Sequence, residues 1–202
     1  MTRNWMLEAR RDVYRRRARS EGYRSRAAYK LLEADKKFRL IKDGAVVVEL
    51  GAWPGGMSQV ASRMVGPRGL VVAVDIKRFK KFEESNIIPV EADICEEDVV
   101  SKIIEVLNGR QVDLLISDAS PKFTGVREVD VIKQMELTEK AYRIALEIVK
   151  KEGSIMLKAF ECDELKLLEE EVKRSFKIVK RFIPSATRKT SSELYLIAQG
   201  KI

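Results

Sequence analysis

Along this chain, short apolar runs alternate with stretches in which apolar side chains recur every three or four residues. The runs "AVVVEL", "LVVAV" and "VDLLIS" are almost continuously apolar, as expected of strands buried on both faces of a parallel sheet. The pattern predicts strands at 45–50, 70–75, 87–91, 112–117 and 154–160, and helices at 55–65, 97–107, 131–151 and 163–174. A further helix over 25–40 follows from the spacing of Ala28, Leu31, Leu32 and Phe38. Two last strands, 176–183 and 193–199, have no helix between them, which predicts a hairpin and an antiparallel strand in the sheet. Alternating units of this kind make a Rossmann-like, doubly wound α/β fold: a mostly parallel seven-stranded sheet with helices on both faces. No repeat, linker or low-complexity tract interrupts the 202 residues. One domain, 1–202, with a basic N-terminal extension over about 1–40, is expected.

Composition narrows the function classes. Apolar residues make up 45% and charged residues 35%, the balance of a globular chain. No apolar run approaches the ~18–20 residues of a membrane span, and the first twenty residues lack the apolar core of a signal peptide. A cytoplasmic protein without membrane contact is expected, with Cys95 and Cys162 as reduced, buried thiols lacking any metal-ligand spacing. The chain has no histidine. That excludes Ser-His-Asp and Cys-His machinery and the usual zinc cage. Any general base must be Lys, Asp, Glu, Tyr, Cys or the substrate itself.

The net charge of +8 is unevenly spread. Residues 1–40 hold 13 Lys/Arg against 5 Asp/Glu, and residues 172–190 hold seven basic residues and no acidic one. The middle, 41–171, has 18 basic against 25 acidic residues. A basic head and a basic tail segment could be no more than solvated faces. Alternatively, if the two meet, they make a surface that tracks phosphates, with nucleic acid as the partner.

The chemistry gathers where predicted strands end. "VVVELGAWPGGMSQV" runs from a strand through Gly51, Pro54, Gly55 and Gly56 into a helix. Its spacing fits neither the dinucleotide fingerprint nor the P-loop. In a doubly wound sheet the ligand sits outside the carboxyl ends of the strands, and Asp75, Asp93 and Asp118 stand at three such ends. Each alone is an ordinary cap or turn residue. Together with the glycine loop they form an adenosine site, with Asp75 for a ribose diol and Asp93 for an adenine amino group. A pyrophosphate would want positive charge, yet Glu49, Asp75, Asp93 and Asp118 make an acidic rim. That rim suits S-adenosylmethionine, whose sulfonium and ammonium are cationic and whose methionine part the backbone at Gly55 and Gly56 could approach closely. Lys158 interrupts the apolar run "SIMLKAF" at the end of a predicted strand, where it either snorkels to solvent or is held for a purpose.

These segments, with "SRAAYKLLEADKKFRLI", "ISDASP", "IMLKAF" and "SSELYLIAQG", resemble in order the FtsJ/RrmJ family of ribose 2′-O-methyltransferases, from about Asp12 to Gly200. The resemblance implies S-adenosylmethionine as cofactor and a Lys-Asp-Lys-Glu tetrad that falls on Lys30, Asp118, Lys158 and Glu193. It implies Lys158 as base, Asp118 as the group that orients it and the methyl donor, and Lys30 and Glu193 as substrate-positioning groups. The cofactor loop is Gly51, Pro54, Gly55, Gly56 and Met57, with Asp75, Asp93 and Asp118. Met57 departs from the family's usual aromatic residue, and a thioether can also cover an apolar ligand surface. The implied substrate is a uridine ribose of large-subunit ribosomal RNA, free or in the subunit, with a tRNA anticodon-loop ribose as the alternative. A monomer is expected. A base N-methyltransferase fits less well, since "DASPKF" lacks the Asp/Asn-Pro-Pro-aromatic motif. A non-catalytic RNA-binding module has no use for Lys158 and Glu193, and the loop spacing disfavours an NAD-dependent oxidoreductase.

Overall fold

The computed structural model describes residues 13–187 and 192–202. The first twelve residues of the basic extension, and residues 188–190 of the basic tail segment, lie outside the described residues. The chain begins with α1 (Val13–Ser20) and α2 (Ala28–Phe38), then β1 (Val46–Leu50), α3 (Gly56–Val65), β2 (Leu70–Asp75) and β3 (Ile87–Glu91). It continues through α4 (Val99–Leu107), β4 (Val112–Ser117), α5 (Arg127–Ile148), β5 (Val149–Phe160), α6 (Asp163–Ser175), β6 (Phe176–Phe182) and β7 (Glu193–Lys201).

The strands form one seven-stranded sheet in the order β3-β2-β1-β4-β5-β7-β6. All neighbours are parallel except β7, which runs antiparallel to both β5 and β6. This is the expected α/β architecture with its closing hairpin. Every residue of β1 is buried, which explains its unbroken apolar run. One face of the sheet packs with α4, α5 and α6 in a large apolar cluster that includes Val48, Ile103, Tyr142 and Leu168. The opposite face packs with α2 and α3 through a cluster that includes Val47, Leu31, Val60 and Tyr195.

Three elements differ from expectation. The helix α1 carries no buried residue but Ala18, so it leaves little apolar periodicity to read. The helix α5 ends at Ile148, and β5 begins at once with Val149, five residues before the expected strand. A register irregularity between Val112 and Leu114, with Glu152 at φ 63°, absorbs those residues as a bulged strand start, which the charged "KKE" at 150–152 concealed. Neither cysteine is buried: Cys95 is exposed and Cys162 half-buried, both as free thiols.

Candidate active site

The strand order reverses between β1 and β4, and a crevice opens outside the strand ends at such a switch point. There a cavity of about 220 Å³ is lined by Gly51, Trp53, Asp75, Asp93, Asp118 and Ser120, among others. The acids expected at three strand ends therefore do converge. Asp75 accepts from the Trp53 N–H at 2.8 Å and from the Lys77 N–H at 2.9 Å. Asp93 accepts from the Cys95 N–H at 2.9 Å. Both carboxylates are thus oriented by backbone and keep acceptor capacity toward the cavity.

Gly51 adopts φ 70°, and a Cβ placed on it would lie 2.4 Å from the Ala119 Cα. The ends of β1 and β4 can approach each other only because no side chain stands there. Pro54, Gly55 and Gly56 shape the turn beside the cavity rather than lining it. Gly55, at φ 108°, lies under the Phe82 ring, and Gly56 packs against Ser25. Met57 is fully buried in the apolar cluster with Leu31 and Val60, so its side chain faces the core and not the cavity. The aromatic at this site is Trp53, half-exposed, with Lys77 Nζ 4.4 Å from its ring centroid.

Glu49 also changes role. It is 2% exposed, bonded to the Ser58 hydroxyl, and lies beneath the loop. Burial, with Asp118 and Asp75 nearby, pushes its carboxyl up to about 8 against the Ser58 hydrogen bond. It is therefore protonated at neutral pH and adds no charge to the rim, where Lys77 stands beside Asp75 and Asp93. The folded chain holds a proton that an unfolded chain releases above its ordinary value of 4.5. That stabilisation is complete below about pH 4.5 and is lost as pH rises through about 8. Glu49→Gln keeps the shape and removes the titration. Denaturant titrations at pH 5 and pH 8 should show the variant gaining on the wild type with pH, by more than about 1 kcal/mol at pH 8. A constant difference across that range would rule out the buried proton.

Lys30, Asp118, Lys158 and Glu193 come together from four separate elements, next to the part of the cavity that Asp118 and Ser120 line. Lys30 Nζ lies 2.7 Å from Glu193 Oε1 and 3.4 Å from Asp118 Oδ1, and donates to the Tyr195 hydroxyl at 2.9 Å. Lys158 Nζ lies 3.4 Å from Asp118 Oδ1 and 3.5 Å from Glu193 Oε2, and bonds the Ser120 hydroxyl. Both lysines are buried, at 6% and 7% exposure, so neither snorkels. Strand register makes part of this placement: Lys158 on β5 faces Tyr195 on β7, with Glu193 two residues further along that strand. From α5, Thr138 and Gln134 donate to the Lys158 carbonyl, at 2.8 and 3.4 Å.

The electrostatics of the cluster are those of paired buried charges. Burial opposes ionisation of Asp118, but Lys158, Lys30 and the Tyr195 hydroxyl outweigh it and hold the carboxyl at about 2. Burial likewise works against the Lys30 ammonium, yet Asp118 and Glu193 raise it above its ordinary value. Burial and the Asp118 charge push the Tyr195 phenol well above its ordinary range. It therefore keeps its proton and donates a hydrogen bond to Asp118 Oδ1 at 2.5 Å. Tyr195 and Ser120 were missed in the sequence. Each lies two residues from a predicted site residue, the spacing that returns a strand to the same face in the case of Tyr195.

The two basic ends do meet. Tyr14 and Ser185 share a hydrogen bond of 3.0 Å, and Arg26 donates to the Ala186 carbonyl at 2.9 Å. Glu33 accepts from the Ser185 hydroxyl at 2.6 Å and its N–H at 2.8 Å. Among the described residues, no helix is long and apolar enough to cross a membrane, and no cluster of His, Cys, Asp or Glu could hold a metal ion.

A doubly wound sheet with a nucleoside-sized cavity at its switch point, and a buried Lys-Asp-Lys-Glu cluster opening onto it, defines a group-transfer enzyme of the Rossmann-like methyltransferase class. The FtsJ-like methyltransferase family model matches residues 23–201, and the chain belongs to that family. It is 42% identical to the ribosomal RNA large subunit methyltransferase E of Methanothermobacter thermautotrophicus, over 98% of this chain and 94% of the relative. With the protein of the same name from Acinetobacter baylyi it shares 41% identity, over 99% and 92%. A solved structure of a candidate ribosomal RNA methyltransferase from Plasmodium falciparum superposes with a TM-score of 0.79 at 25% identity. That likeness covers 89% of this chain and 98% of the other.

Proposed function

We propose that this enzyme methylates a ribose 2′-hydroxyl of ribosomal RNA, a uridine of the large-subunit RNA, with S-adenosylmethionine as donor. The observation that carries the reading is the Lys30–Asp118–Lys158–Glu193 cluster, which shares Asp118 with the cavity that Asp75 and Asp93 line. The cavity fits the donor: oriented carboxylates stand where a ribose diol and an exocyclic amine would be recognised, and Gly51 leaves the backbone open. When bound, S-adenosylmethionine supplies an electrophilic methyl group on a sulfonium.

The chain's own residues do the rest. Lys30 is the more tightly ion-paired lysine and serves as a fixed cation that holds Glu193 and Asp118 in place. Lys158 takes the 2′-hydroxyl proton at Nζ as the ribose oxygen bonds to the methyl carbon. The donor would be held by the cavity that Asp75 and Asp93 line, and would supply the methyl group with its sulfur keeping the bonding pair. Asp118 and the Ser120 hydroxyl aim Lys158 Nζ, and Thr138 fixes the strand that carries it. Positioning of this kind supplies most of the acceleration in a direct displacement.

The test uses ribosomal RNA and S-adenosylmethionine carrying a labelled methyl group, followed by digestion to nucleosides. Label is expected in 2′-O-methyluridine, and none should enter RNA whose target nucleotide is 2′-deoxy. Label on a nucleobase overturns the reading, and label confined to tRNA moves the substrate while keeping the chemistry.

A further inference from the structure

Beside the cofactor cavity lies a second, larger one of about 850 Å³, between α1, the turn after it, the 53–54 turn and the loop at 80–81. Its size is within the ~300–1,000 Å³ that encloses a drug-sized ligand. Arg15, Arg19, Arg24, Arg26, Lys80 and Lys81 line it, and among the described residues no carboxylate does. Arg24 ties the groove together: its guanidinium donates to the Lys80 carbonyl at 2.9 Å and sits 3.9 Å over the Phe82 ring. It also reaches the Pro54 carbonyl at 3.4 Å, which joins the 80–82 loop to the turn. Tyr23 supplies an aromatic surface on one wall.

Trp53 lines both cavities. It is 47% exposed, large for a tryptophan in a folded chain, and Lys77 sits over its ring. A basic groove that ends on an exposed indole has the two parts of a single-stranded nucleic-acid site, charge for the backbone and a π-face for a base.

We propose that this groove is a nucleotide subsite for the RNA strand flanking the reacting ribose, and that a base of that strand stacks on Trp53. The inference rests on the proposed function for its ligand class. Arg19, Lys80 and Lys81 neutralise the strand's phosphates. The stacked base then sets the distance from the groove to Lys158, because the same indole forms the wall of the cavity that Asp118 and Ser120 also line.

Anisotropy of a fluorescein-labelled single-stranded RNA decamer tests this on the full chain. Trp53→Ala should weaken decamer binding about tenfold or more, the scale of one lost stacking contact, with the salt slope unchanged. Trp53→Phe keeps a ring and should stay within about threefold. Lys80→Glu with Lys81→Glu should flatten the salt slope by at least about 0.7 per lost phosphate contact. Thermal denaturation checks the folding of each variant, and calorimetry with S-adenosylmethionine on the Lys80, Lys81 double variant should show an affinity close to wild type. Decamer binding by folded Trp53→Ala equal to wild type, measured without cofactor, overturns the stacking role. An unaltered salt slope in the double variant overturns the phosphate track. Failure of the functional reading looks different: wild-type enzyme would bind the decamer yet transfer no methyl group to ribosomal RNA.

Discussion

Lys158→Ala should transfer methyl groups at least ~10²-fold more slowly than wild type, the scale of losing a positioned general base. Affinity for cofactor and RNA should hardly change, because Lys158 Nζ is engaged by Asp118, Ser120 and Glu193 and the residue does not itself line the cavity. Single-turnover rates with saturating RNA separate the chemical step from binding. Raising the pH should not restore the rate, since hydroxide cannot match an amine held by β5 and Thr138. A fully active Lys158→Ala enzyme would leave the ribose oxygen as acceptor but demand another base.

Asp118→Asn carries the second large effect, and it is a double one. Asp118 lies within 3.4 Å of both lysines. Removing its charge leaves two buried ammonium groups beside the single carboxylate of Glu193. Breaking a buried ion pair from one side costs about 3–5 kcal/mol, so a clear loss of thermal stability is expected at pH 7, together with a collapse of transfer. The stabilisation from Asp118 is complete above its ordinary value of 3.8 and fades as pH falls through about 2. The deficit of the variant should therefore shrink on acidification. Denaturation curves at pH 7 and pH 3 check this, and a deficit that stays constant would show that the charge is not what matters.

The sheet and its crevice were legible because continuous apolar runs have few ways to be satisfied, and three of the strand ends carried an acid. The closing hairpin was legible for the simple reason that no helical period separates 176–183 from 193–199. Lys158 stood out against "SIML", whereas Lys30, inside a helix rich in charge, was placed by family resemblance alone. Other features needed the third dimension. Trp53 on the loop and Met57 in the first turn of α3 are four positions apart, and nothing in their order says which faces the ligand. The structure buries the thioether and exposes the indole. Glu49 read as a rim charge because strand alternation was hidden within a fully buried strand. Tyr195 is a core residue, but its hydroxyl reaches both Lys30 and Asp118.

The position of β7 has a consequence for the order of assembly. It follows β6 in the chain yet lies between β5 and β6 in the sheet, so β6 has no strand to join until β7 has been synthesised. Glu193 and Tyr195 arrive on that same strand. During translation the glycine loop, the cofactor acids and both lysines all emerge first, as a half-finished sheet with two buried cations short of a counter-ion. Insertion of β7 supplies the missing partners in one event, so catalytic competence and closure of the sheet are reached together. A nascent chain stalled before residue 193 should be both inactive and sensitive to proteases.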